Sequence, residues 1–137
     1  MTDKTIQNGF IIAGLSNILG VIICSKFFTN DVMLEAQPDV MGYFGLISII
    51  LWGFAYISVC KSYSQVRWLV GIFAIEKLIY VIVWLAFITS ESLSSIYELD
   101  VFAGVFYTIY GANDFIFMLF FGFVFLRQGQ VPSEPNG

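Results

Sequence analysis

The sequence contains no histidine. That removes His-ligated haem, His-ligated zinc and any Ser–His or Cys–His nucleophile pair. Charge is scarce as well. Only 12% of the 137 residues are Asp, Glu, Lys or Arg, against about a quarter in an ordinary soluble domain. So few polar side chains cannot coat a soluble fold. Ten acids against six bases leave a net charge of −4 and no basic patch, which speaks against nucleic acid as a partner. The two cysteines, Cys24 and Cys60, make no C-x-x-C pair. The chain therefore lacks the paired thiols of small four-span quinone-linked oxidoreductases. The two are expected near opposite ends of the fold, far beyond the about 7 Å between Cα atoms that a disulfide allows. They read as small packing residues. No cofactor and no metal is expected.

What the chain has in abundance is apolar length. It is 58% hydrophobic and 18% aromatic, with a mean hydropathy of +0.85. A hydrocarbon core about 30 Å thick needs about 20 helical residues at 1.5 Å rise each. Four runs qualify: about 9–28, 40–60, 66–89 and 101–126. They are too long and too uniform for strands, and an open sheet edge is not viable in lipid. The expected fold is an all-α integral membrane protein, with four transmembrane helices in an up-down antiparallel bundle. Residues 1–126 make one domain, and 127–137 a polar tail expected to be disordered. The first run is longer than a signal-peptide core and is not followed by a small-x-small site, so it reads as a retained span.

Basic residues set the orientation. Lys4, Lys61, Arg67 and Arg127 fall on one side of the four runs. The other side holds Lys26 against Asp31, Glu35, Asp39, Glu91, Glu98 and Asp100. Both termini are therefore expected in the cytoplasm. Small size and the lack of a sorting signal suggest a bacterial inner membrane. The link TNDVMLEAQPD predicts one short interfacial helix, capped by Thr29 or Asn30 and ended by Pro38. In the link SESLSSIYELD, Ser95 and Glu98 have capping-box spacing.

The informative pattern lies at mid-depth. Counting from the ends, the first run centres beside Ser16 and Asn17, the second close to Ser48 and Trp52. The third centres beside Glu76 and Lys77, the fourth at Asn113 and Asp114. Each run puts a polar or aromatic group at the same level. One charged residue there costs about 2.5–3.5 kcal/mol on insertion scales. Three are tolerated only if they face inward and pair, or if some are neutral. Neighbours on a helix diverge by about 100°, so Glu76 and Lys77 need not pair with each other. Either is expected to meet Asp114 across the bundle. Two acids against one base leave an acid in excess, and desolvation with like charge favours its protonated form.

Helical spacing groups the rest. Tyr80 follows Glu76 by four residues and Lys77 by three; Trp84 lies on the Lys77 side. Tyr107, Tyr110 and Asp114 share a line, as do Gly45, Ser48, Trp52 and Tyr56. Gly104 and Gly111 are expected to let a helix approach closely. Small multidrug antiporters, of similar length, carry their acid in the first span, where this chain has Asn17.

The leading expectation is a midplane polar and aromatic cavity that binds a small amphiphile or cation, or moves it with proton exchange. Glu76 and Asp114 would be the acids and Lys77 their counter-ion. Tyr80, Tyr110 and Asn113 would orient the ligand, Trp52 and Trp84 would offer ring faces, and Asn17 would hydrogen-bond at the helix contact. The partners are then the lipid bilayer and the ligand, with a homo-oligomer or larger membrane complex open. The alternative is a non-catalytic membrane subunit whose polar core only holds the bundle. Third comes an intramembrane isomerase using Glu76 or Asp114 as acid and base.

Overall fold

The structure, a computed structural model, describes residues 1–130. Among them every regular element is helical. Helix α1 spans Asp3–Cys24, and short α2 and α3 follow at Asp31–Ala36 and Pro38–Met41. Then come α4 at Tyr43–Val59, a 3-10 turn at Tyr63–Gln65, α5 at Arg67–Ser90, short α6 at Leu93–Leu99, and α7 at Val101–Gln130. Helices α1, α5 and α7 are long and apolar enough to cross a membrane. Helix α4 is apolar but has only 17 residues.

The helix ends depart from the apolar runs for local reasons. Helix α1 begins early because the Thr2 hydroxyl accepts from the Thr5 N–H at 3.2 Å, satisfying one donor of the first turn. It stops at Cys24 because Lys26, Phe27 and Phe28 adopt φ of 50, 57 and 65°. Left-handed backbone costs an L-residue about 1–2 kcal/mol, so this turn needs outside support. Ser25 Oγ accepts from the Phe28 N–H at 3.0 Å, and Asn30 Nδ2 donates to the Cys24 carbonyl at 3.0 Å. Helix α4 starts at Tyr43 rather than Val40 because Gly42 is extended and separates it from α3. Gly45 lies so close to the Val40 carbonyl that no side chain fits there.

The first link makes two helices rather than one. Asn30 caps α2, which ends at Ala36, and Pro38 opens α3. In the second link Ser92 precedes α6, so Ser95 and Glu98 lie inside that helix and make no capping box. Helix α7 runs on through Arg127–Gln130, into the stretch read as a disordered tail; positions 131–137 lie outside the described residues.

Helices α5 and α7 run in opposite directions, with Arg67 against Phe125 and Trp84 against Tyr107. Helix α1 crosses α4 where Gly14 and Gly53 bring backbone against backbone, as small residues allow at membrane helix contacts. Gly9 of α1 meets the Phe120 ring of α7. Gly104 and Gly111 are covered by aromatic rings, Tyr97 and Trp84, rather than by a helix backbone. The interior divides into two clusters. One lies at the end bearing the N-terminus and the α4–α5 link, around Phe10, Tyr56, Phe73 and Phe121. The other lies beneath α2, α3 and α6, around Met33, Met41, Leu46 and Tyr107. Cys24 belongs to the second, Cys60 to the first, and both are free thiols.

Candidate functional site

A polar layer separates the two clusters, and Lys77 is its hub. The residue is 1% exposed. Its Nζ donates to Asp114 Oδ1 at 2.6 Å and to Asn17 Oδ1 at 3.0 Å. Asn17 in turn donates through Nδ2 to the Ile49 carbonyl at 3.1 Å. Three helices and the backbone of a fourth are thus tied through one ammonium. The Tyr56 ring stands 5.3 Å from the same Nζ, a distance at which a ring face attracts a cation. Asn113 adds only a long 3.5 Å contact to Asp114.

Glu76 points elsewhere, as the 100° between neighbours requires. The Tyr56 hydroxyl donates to its Oε2. Its Oε1 is buried and finds no hydrogen-bond partner among the described residues, although the residue is only 7% exposed. A buried carboxyl oxygen left unpaired is costly. Of the two acids, then, Asp114 has the cation and Glu76 does not.

Beside this layer lies a cavity of about 270 Å³. Asn17, Glu76, Lys77, Tyr80, Tyr110, Asn113 and Asp114 all line it. Trp52 and Trp84 do not. Trp52 packs edge-on against Phe73 and lines a more open groove of about 460 Å³ between α4 and α5. Trp84 donates from Nε1 to the Tyr107 carbonyl at 2.8 Å and covers Gly111. That places its ring in the α5–α7 seam. Glu76 and Tyr80 line both the cavity and the groove, so they form the wall between them.

Sequence reasoning passed over Tyr56 as a site residue. Its place one turn beyond Trp52 on the same stripe was the available signal. It also passed over the apolar lining, including Gly20, Met41 and Ile109. Among the described residues no three acids or thiols converge as a metal site requires.

The end beneath α2 and α3 is closed by side chains reaching from α7. Tyr107 donates to the Met33 carbonyl at 2.6 Å, and Tyr110 to Gln37 Oε1 at 2.9 Å. At the edge, Asp100 pairs with Lys26 at 2.5 Å, accepts from Asn30 at 2.8 Å and caps α7 through the Ala103 N–H. The hydrogen bond from Lys26, helped by those from Ala103 and Asn30, outweighs desolvation and holds the Asp100 carboxyl down to about 2.

Set against protein-family models, curated proteins and solved structures, the chain matches none of them. A functional reading therefore rests on the chemistry of the site.

Proposed function

We propose that this is a multi-pass membrane protein with four spans and both termini in the cytoplasm, whose midplane cavity binds a small amphiphilic cation at Glu76 in exchange for a proton. One observation carries the reading: a nine-tenths-buried carboxyl with one oxygen unpartnered, lining a cavity. Lys77 is already committed to Asp114 and Asn17, so Glu76 is the acid in excess. Ionisable groups at such depth are costly and usually serve a pathway or ligand. Glu76 keeps its proton at rest and gives it up when a cation arrives. Tyr80, Phe106 and Tyr110 line the same space and offer ring faces worth about 0.5–2 kcal/mol to a cation. At about 270 Å³ the cavity suits a ligand smaller than the drug-sized molecules that fill pockets of about 300–1,000 Å³.

The test is a thermal-shift series on the purified protein with short alkylamines and tetraalkylammonium ions. Stabilisation by both classes is expected, with release of a proton into weak buffer when the permanently charged ion binds. Glu76→Gln should fold and accumulate normally yet lose both effects. No stabilisation across the series would retire the reading.

The Lys77 network supports a second reading, a non-catalytic membrane subunit with a purely structural polar core. Under it, Glu76→Gln would lower accumulation rather than remove a ligand response.

A further inference from the structure

The cavity has walls at both ends and an opening at its side. Towards the terminal end it is shut off by Phe10, Tyr56, Phe73 and Phe121, all with no exposed surface, their rings 4.8–6.4 Å apart. Towards the other end it is roofed by Met41, itself fully buried, and by the hydrogen bonds from Tyr107 and Tyr110 to Met33 and Gln37. Between α1 and α7 no such barrier exists. Ser16 and Gly20 on one helix, Ile109 and Asn113 on the other, line the cavity. Ile109 is 49% exposed. A Cβ added at Gly20 would meet nothing within 4 Å. Towards the terminal end the same two helices are in contact again, through Gly9 and the Phe120 ring.

We infer that the ligand enters sideways from the hydrocarbon of the bilayer, through this window between α1 and α7, as the uncharged form of an amine. The inference rests on the cavity being an amine site. An opening at mid-depth faces lipid rather than water, and a charged group crosses hydrocarbon only at high cost. A neutral amine carries no such cost. Once inside, its nitrogen lone pair takes the proton of the Glu76 carboxyl. The O–H bond breaks, an N–H bond forms, and an ammonium–carboxylate pair of no net charge remains. The ligand class narrows to a primary, secondary or tertiary amine on a short apolar body. A permanently charged ammonium is expected to bind the same acid but to reach it more slowly.

The window is tested without reference to any ligand in the full chain held in lipid nanodiscs. Asn113→Cys places a thiol on the cavity wall just inside the opening, and the unsubstituted protein with its buried cysteines sets the background. A bilayer-soluble maleimide is expected to modify the new thiol faster than a sulfonated, membrane-impermeant one. Adding Gly20→Phe, whose Cβ would stand in open space, is expected to slow that modification about tenfold, with Gly20→Leu intermediate. In proteins that keep Asn113, Gly20→Phe is expected to slow both association and dissociation of octylamine about tenfold while changing its affinity less. Equal modification rates with and without Gly20→Phe would overturn the window, as would slower exchange caused instead by Ser48→Phe in the α4–α5 groove. Gated modification of the thiol with no octylamine binding by the wild type would retire the amine and leave the window standing.

Discussion

The two ends of the interior are closed by different means. At the terminal end, rings from α1, α4, α5 and α7 interlock. At the other end, α2, α3 and α6 lie over a second apolar cluster with rings of its own, and hydrogen bonds from tyrosines and the Lys26–Asp100 pair are added to that packing. A ring plug yields only if helices part. Under the short helices a single hydrogen bond can be removed while the apolar packing stays. The polar layer sits at the boundary between these two clusters.

The difference can be tested most forcefully at the terminal end. Phe121→Ala removes a fully buried ring and is expected to cost about 3–5 kcal/mol. The thermal midpoint should fall steeply; a small fall would mean that the plug is loosely packed. Lys77→Met attacks the boundary itself. It strands the Asp114 carboxylate in the interior, again at about 3–5 kcal/mol. Pairing it with Asp114→Leu should recover most of the lost accumulation, because a buried ion pair exchanged whole for apolar groups is often neutral. Failure of that rescue would show that the Asn17 link also depends on the charge.

The end under the short helices should respond more gently to the loss of one hydrogen bond. Tyr107→Phe leaves the Met33 carbonyl without its donor, at about 1–3 kcal/mol. Hydrogen exchange should quicken in residues 31–41 and stay unchanged around Phe73. The smallest effect is that of acid on Asp100. Its carboxyl titrates at about 2 in the fold, against an ordinary 3.8, so the folded state favours the ionised form. That contribution is complete above the ordinary value and is lost as pH falls through it towards about 2. The midpoint should therefore be unaffected by this group from neutral pH down to about 5 and decline below about 4. Asp100→Asn should flatten that decline.

Much of the helical framework could be read from the apolar runs, because a span leaves a long, one-signed record. Helix ends could not be read as well. Left-handed turns usually advertise themselves with glycine, and SKFF has none; its support comes from the Ser25 hydroxyl and from Asn30 just beyond the turn. The common depth of Asn17, Glu76, Lys77 and Asp114 was legible, since it needs only counting along helices. The choice of Lys77 over Glu76 as the partner of Asp114 was not, because it depends on how α5 is rotated against α7. The same gap hid Tyr56 behind Trp52: which residue of the α4 stripe faces Glu76 depends on the approach of α5. Trp84 was misjudged as a cavity wall because an indole that donates to a backbone carbonyl of another helix leaves no mark in its own sequence.

The contact of Gly14 with Gly53 acquires a further meaning beside Asn17. One turn separates the bare backbone crossing from the amide that reaches Ile49. Sliding α1 along α4 by a single residue would drive a side chain into the crossing and break that hydrogen bond together. From Asn17 the alignment passes through Lys77 to Asp114, and so to α5 and α7. The crossing therefore acts as an index mark: it sets the depth at which every polar group of the layer comes to rest, although it touches none of the charges itself.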